Sequence, residues 1–382
     1  MQIHPDTLSF WERERFFSGI DIVVVGCGIV GLNAAISLAE RWPKRRIAVL
    51  ERGALPEGAS TRNAGFACFG SLSELLDDLK NMPESEVLAL VARRWRGLQR
   101  LRERVGDHKL LYEEHGGYEL FLPTDAAAFE ACADQMTHFN RLLAEIVGER
   151  AVYREVSAGL FNFRGVEKVI HNVAEGQIDT GEMMWRLIKL ARKHKVRMIH
   201  GLSVGELHDT GAGVRIVTEA GWEFGARQVL VCTNGFARQL LPDLEVKPAR
   251  NQVLITKPIA GLKLRGCFHY DRGYYYFRNV GPDRVLLGGG RNLDFEKEFT
   301  DVFGANDAIR DALTKILSEV ILPGQAHEID MWWSGIMGLG AVKKPIIEMH
   351  SPNIGVAVRM GGMGVAIGSL VGEEGAEMLA KS

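Results

Sequence analysis

The apolar positions of the chain change period from segment to segment, and the changes mark out its elements. Ile20 to Val25 is a short, β-branched run without regular polar alternation, as in a strand buried on both faces of a parallel sheet. It leads into Gly26-Cys27-Gly28-Ile29-Val30-Gly31. A helix is predicted from about Ile29 to Arg41, stopped before Pro43, and a second apolar strand, Ile47 to Leu50, closes on Glu51. Between residues 72 and 150 the spacing becomes helical: Leu75, Leu76 and Leu79, then Val87, Leu90, Val91, Leu98 and Leu101, recur every three or four positions with charges between them. The Arg/Glu density of the second of these helices reads as a solvated face. A strand from Gly116 to Leu122 and an amphipathic helix from Ala126 follow. Glu182 to His194 is a further helix, Val196 to His200 a strand, and Gln228 to Gly235 a buried strand running into Thr-Asn-Gly.

From Pro248 onward the period is two, with turn signals between runs, and one antiparallel sheet is expected. In the hairpin from Tyr274 to Arg291, alternation puts Tyr274, Tyr276 and Arg278 on one face of the first strand. It puts Val285, Leu287, Gly289 and Arg291 on one face of the second. The last segment repeats the logic of the first: strand Ile354 to Val358, a turn at Gly361, Gly362 and Gly364, and helix Val365 to Ala380.

Two strand–glycine–helix units at opposite ends of one chain point to a dinucleotide. In the first, Gly26 permits a tight reversal, Gly28 leaves room for a pyrophosphate, and Gly31 lets the helix lie close to the strand. Phosphates would sit at the helix N-terminus, and Glu51 would accept from a ribose hydroxyl pair. The loop Gly58 to Ser71, GASTRNAGFACFGS, is either an ordinary surface loop or a second cofactor contact through Arg62, Asn63, Ala64 and Gly65.

Composition narrows the field. The 382 residues allow two or three domains, and a formal charge of −2 without a basic block argues against a nucleic-acid partner. Five scattered cysteines, Cys27, Cys68, Cys132, Cys232 and Cys267, lack metal spacing, so reduced thiols, a cytoplasmic location and no metal site are expected. Residues 1–19 lack the apolar core of a signal peptide and no run has membrane-spanning length, so neither export nor membrane insertion is expected. His108, His138, His171, His194 and His200 are dispersed and read as surface or core histidines. No Ser-His-Asp set, paired carboxylates or HExxH supports hydrolysis.

The GxGxxG unit, the Glu51-Arg52-Gly53 that follows the second strand and the GASTRNAG loop together resemble the D-amino-acid oxidase and glycine oxidase superfamily of FAD enzymes. The likeness extends over nearly the whole chain in interleaved segments. It implies an α/β fold in which a Rossmann-like FAD-binding domain (20–71, 151–245 and 340–382) interleaves with an α+β substrate domain built on an antiparallel sheet (72–150 and 246–339). Residues 1–19 form an N-terminal extension. Implied cofactor contacts are Gly26, Gly28, Ile29, Val30, Gly31, Glu51, Arg52, Ser60, Thr61, Arg62, Asn63, Ala64 and Gly65. To these are added Val204, whose backbone edge would lie against adenine, Thr233, Asn234 and Gly235, and the run Arg359, Met360, Gly361, Gly362, Met363, Gly364 and Val365. Arg359 and the helix start would face the pyrimidine end of the flavin, where reduction leaves negative charge.

Hydride transfer from a carbon bearing an amine to noncovalent FAD is the implied reaction, with oxygen or another acceptor reoxidising the flavin. The substrate would be a small amine, amino acid or hydroxy acid; a 2-hydroxy-acid dehydrogenase and a flavin-binding protein without turnover are the alternatives. Asn63 stands where covalent members carry a loop histidine, and the later stretch GIMGLGAVKKP has no cysteine.

The implied catalytic set is Tyr274, Arg291, Met337 and Arg359, and it contains a departure. Amino-acid-oxidising relatives clamp the substrate carboxylate with arginine in W-x-G-x-R-P, whereas this chain has Trp333-Ser334-Gly335-Ile336-Met337-Gly338. Either the substrate lacks an α-carboxylate, or the cation has moved. By strand register Arg291 falls where glycine oxidase-like members place an apolar residue, so Arg291 either supplies the clamp, with a hydroxyl from Tyr274, or ends a hairpin strand in solvent.

Overall fold

A computed structural model describes residues 8–381; Met1 to Thr7 of the N-terminal extension, and Ser382, lie outside the described residues. The β-branched run Ile20–Val25 is the middle of an eight-stranded sheet. It pairs in parallel with Ile47–Glu51 on one side and Glu223–Val231 on the other, with Val24 opposite Val49 and Leu230. Arg197–His200 and Ile354–Val358 extend the parallel core. Ile346–Ser351 and a ribbon of Val204–Asp209 with Val214–Thr218 are added antiparallel. Helices Ile29–Arg41, Thr180–Lys193 and Gly364–Lys381 bury one face of this sheet. Phe17, Trp222 and Phe224 help cover the other.

Helix Glu84–Val105 docks on helix Gly364–Lys381. Its arginines are therefore not simply solvated: Arg100 and Arg104 meet Glu373 at 2.6 and 2.7 Å, Arg93 pairs with Glu374, and buried Arg94 pairs with Glu74 at 3.3 Å. The expectation of a solvated face is corrected here: the neighbour that covers it comes from the other end of the chain.

The second sheet also has eight strands, ordered Ile329–Leu339, Lys247–Thr256, Arg284–Gly289, Tyr275–Val280, Cys267–Tyr270, Gly117–Phe121, Lys168–Asn172 and Tyr153–Val156. Period-two alternation divides its faces. Phe268, Phe277, Leu287 and Leu254 are register neighbours that face a core closed by helix Asp307–Ile316, with Phe268 and Phe277 stacked at 4.8 Å. The alternate set, His269, Tyr276, Gly288 and Val253, faces the first sheet across a cavity.

Three sequence expectations need correction here. The second sheet is not wholly antiparallel, because Cys267–Tyr270 runs parallel to Gly117–Phe121, a strand from the earlier segment. The strands Tyr153–Val156 and Lys168–Asn172, expected with the cofactor domain from residue 151, pair with that same early strand and so belong to the second sheet. The hairpin strand stops at Gly289 (φ +116°), and Gly290 (φ +76°) turns the chain into a 3-10 turn at Arg291–Leu293, so Arg291 leaves the strand register.

Candidate active site

One cavity of about 590 Å³ lies between the two sheets. At its first end the backbone does what the glycine spacing demands. Gly26 has φ +106°, and a Cβ there would lie 2.9 Å from the Cys232 carbonyl oxygen. A Cβ on Gly31 would lie 2.0 Å from the Gly26 carbonyl oxygen, so only glycine lets the helix approach this closely. The helix starts at Ile29 with Gly28 as a cap that has no side chain to offer, and the Ile29 N–H donates to Ser60 Oγ at 2.9 Å. Its positive end therefore faces the cavity. Glu51 is buried at the end of its strand and accepts from the N–H groups of Cys27 and Gly53, each at 3.1 Å. Burial pushes its carboxyl above the usual range, against those hydrogen bonds.

The Gly58 to Gly65 loop forms the next part of the wall. Asn63 holds it in shape: its Nδ2 donates to the Ala59 and Ser60 carbonyls and its Oδ1 accepts from the Gly65 N–H at 2.8 Å. Arg62 joins the two sheets, donating to the Glu57 and Ser334 carbonyls and lying 4.3 Å over the Phe303 ring, while Trp333 donates back to its carbonyl. Arg52 lies 3.9 Å over Phe236. Opposite, Asn234 Oδ1 accepts from the backbone N–H groups of Arg359 and Met360, both at 3.2 Å, and Thr233 Oγ1 is buried without a partner among the described residues.

The cavity is lined by Gly26, Gly28, Ile29, Val30, Glu51, Arg52, Ser60, Arg62, Asn63, Ala64, Val204, Thr233, Asn234 and the run Met360 to Val365, and also by Tyr274, Arg291 and Met337. Gly31, Thr61, Gly65 and Gly235 stand behind the wall. Thr61 ties the loop to the Pro56 carbonyl, and a Cβ on Gly65 or Gly235 would strike the carbonyl oxygen of Ile178 or Met337.

Arg359 is a further correction. Its backbone takes φ +68° and its side chain turns away from the cavity, donating to the Lys344 and Glu245 carbonyls and pairing with the Glu245 carboxylate at 2.9 Å. The positive potential available at that end is the N-terminus of helix Gly364–Lys381 behind Gly361 and Gly362.

Sequence reasoning missed several lining groups: Asn251, Tyr276, His269, Glu74 and Lys343. Lys343 pairs with Asp78 at 2.6 Å and Glu74 at 3.2 Å. His269 Nε2 stands 3.8 Å from Glu175 Oε2. Burial works against the imidazolium, but Glu175, Glu119 and Glu74 outweigh it and hold the group above its ordinary range. The pairing of His269 with Tyr276 across two strands is the signal that marks both as cavity groups, and it needs the register to be known.

Arg291 is half-buried at the cavity edge. Its guanidinium lies 4.9, 5.8 and 5.9 Å from the ring centres of Phe295, Phe299 and Tyr274, and it has no hydrogen bond or ion pair among the described residues. Burial lowers its pKa, yet a guanidinium stays charged at neutral pH.

A glycine cradle at a helix start, a buried carboxylate at the next strand end, an orphaned Thr233 hydroxyl and a second glycine turn all open into one cavity, and they fit a dinucleotide running along it. Fold and cavity thus define a protein of two interleaved sheets with a cavity shaped for a dinucleotide. The model of the DAO family, FAD dependent oxidoreductases, matches residues 21–378, and the chain belongs to that family. Among solved structures it is similar to glycine oxidase from Geobacillus kaustophilus (19% identity, 95% of each chain covered, TM-score 0.75). It is likewise similar to L-proline dehydrogenase from P. horikoshii (16%, 95% of this chain and 93% of that one, 0.74) and to iminodiacetate oxidase from Chelativorans sp. BNC1 (18%, 94% and 95%, 0.74). No curated protein matches the chain in sequence. No helix among the described residues is long and apolar enough to cross a membrane.

Proposed function

We propose that this FAD-dependent oxidoreductase oxidises the C–N bond of a small amino acid, and that Arg291 holds the substrate carboxylate. One observation carries the reading: at the position of the relatives' clamp stands Met337, while the Arg291 guanidinium, set among aromatic rings and without a hydrogen bond or ion pair among the described residues, lines the same cavity. A carboxylate meeting Arg291 gains charge-assisted, bidentate hydrogen bonds in a partly desolvated setting. The Tyr274 hydroxyl adds a donor. The similar structures are named for acting on glycine, L-proline and iminodiacetate, each a carboxylate bearing an amine.

Bound FAD supplies the hydride acceptor, and the protein supplies position. Gly26, Gly28 and the helix start at Ile29 would hold the pyrophosphate, Glu51 the ribose hydroxyls, the backbone of Val204 the adenine edge, and Asn63, Ala64 and Met360 to Val365 the flavin end. The first sheet is in this reading the cofactor domain, and the second, with its helices, is the substrate domain. The apolar Val253, Met337 and Phe66 exclude water around the reacting carbon. The substrate nitrogen must reach the site neutral, since its lone pair assists loss of hydride.

The cofactor is held without a covalent bond. Cys68 is the one cavity cysteine on the substrate side, and burial, reinforced by Glu175, pushes its thiol well above the ordinary range, away from the reactive thiolate. All five cysteines are buried and unpaired, which suits the reducing cytoplasm.

The test is anaerobic mixing of the purified holoenzyme with amino acids, simple amines and 2-hydroxy acids while the flavin absorbance is followed. Amino acids are expected to bleach it. Bleaching by the hydroxy acids alone would move the reaction to C–O oxidation, and no bleaching by any class would leave a flavin-binding protein without turnover.

A further inference from the structure

The cavity holds a polar group that no part of the dinucleotide cradle uses. Asn251 lies in the strand Lys247–Thr256, opposite Gly335, and lines the cavity. Its Nδ2 donates to Met337 Sδ at 3.7 Å. A thioether accepts weakly and donates nothing, so the amide is assigned with its NH₂ toward sulfur and its carbonyl Oδ1 away from it. Oδ1 is buried and makes no hydrogen bond among the described residues, while the amide also hydrogen-bonds the Tyr276 hydroxyl. A buried acceptor left unmade is costly, and native structures leave few without a reason.

Asn251 and the Arg291 guanidinium line the same cavity, which thus presents both a cation and a neutral acceptor. The carboxylates that line the cavity are engaged elsewhere: Glu51 by Cys27 and Gly53, Glu74 by Arg94 and Lys343, Asp77 by Lys80.

We infer that Asn251 Oδ1 accepts a hydrogen bond from the substrate nitrogen while Arg291 holds the carboxylate, so that the site recognises a carboxylate carrying a neutral amine. This rests on the amino-acid reading above and names the group that orients its nitrogen. The physical advantage lies in charge. A carboxylate at this position would stabilise the ammonium form, which cannot lose hydride, whereas an amide oxygen accepts an N–H without favouring the cation. With both ends held, the carbon between them has one orientation toward the flavin.

The test needs no turnover. Benzoate and 2-aminobenzoate differ by one amine that is neutral at pH 7, and each is titrated into the holoenzyme while the flavin difference spectrum reports binding. Wild type is expected to bind 2-aminobenzoate at least threefold more tightly than benzoate. Asn251→Leu, nearly the same size, should abolish that preference and leave benzoate within about twofold of wild type. Asn251→Asp keeps an oxygen acceptor and should weaken both anions while retaining the ratio. Arg291→Met should weaken both acids alike. An unchanged ratio in Asn251→Leu overturns the role of Asn251 and leaves Arg291 standing. A loosened FAD with an unchanged ratio makes Asn251 a flavin partner and also overturns it. Unchanged binding of both acids by Arg291→Met overturns the carboxylate anchor instead, and failure of both acids to bind overturns both.

Discussion

Glu51 and Arg291 are the two side chains on which the account depends most, and each makes a separable prediction. Glu51→Ala should weaken FAD about tenfold or more, because two ribose hydroxyls lose a charge-assisted acceptor; fluorescence titration of apoprotein with FAD measures it, and unaltered affinity would reduce Glu51 to a strand-end acid. Arg291→Met should raise the KM for an amino-acid substrate about tenfold or more, equivalent to about 1.4 kcal/mol, with kcat less affected. At this scale the sequence was most informative where chemistry is local. Gly26, Gly28, Ile29 and Glu51 are close in the chain, and their spacing alone places them. Arg291 reaches the cavity edge, but not through strand register, since Gly289 and Gly290 take it out of that register first. Arg359 was misplaced because its left-handed backbone turns the side chain to Glu245, and a non-glycine φ of +68° is not written in composition or period.

Among the elements, the strand–turn–helix unit is the least tolerant. Gly31→Val forces a side chain into the Gly26 carbonyl, so it should destabilise the protein by about 1–3 kcal/mol, the usual range for overpacking, and release FAD as the helix start moves; thermal denaturation and flavin release are the readouts. The second sheet carries a pH response. His171 stacks on Tyr118 at 4.4 Å, and burial first, then Arg154, lower its pKa to about 4. An unfolded imidazole titrates near ~6.5, so between these values the unfolded chain takes up a proton that the folded one refuses. Stability from this group is present above the unfolded value and falls as pH drops from about 6.5 toward about 4. In His171→Phe, which keeps a stacked ring, that part of the decline in Tm should vanish. Period marks most of the strands and helices, but not the strands Tyr153–Val156 and Lys168–Asn172 or the helix Asp307–Ile316. Nor does it give the partners: Tyr153–Val156 and Lys168–Asn172 were assigned by neighbourhood in sequence, whereas Gly117–Phe121 recruits them into the second sheet.

The whole molecule is two sheets exchanging chain segments around one cavity, so the cavity walls come from both ends of the sequence. Because each sheet needs distant segments, cofactor removal should lower the stability of the entire chain rather than of one half. If the flavin is noncovalent, acid precipitation leaves the pellet colourless and the yellow in solution; a yellow pellet would turn attention to Cys68. The central claim, an amino acid anchored by Arg291 and oxidised at nitrogen-bearing carbon, is tested most directly by the anaerobic rate of flavin bleaching. Each amino acid is compared with the amine left when its carboxyl is removed, in wild type and in Arg291→Met. The account predicts at least one amino acid that bleaches wild type about tenfold or more faster than its amine, with the difference lost in the variant. Equal or faster bleaching by the amines, with Arg291→Met indistinguishable from wild type, would contradict it.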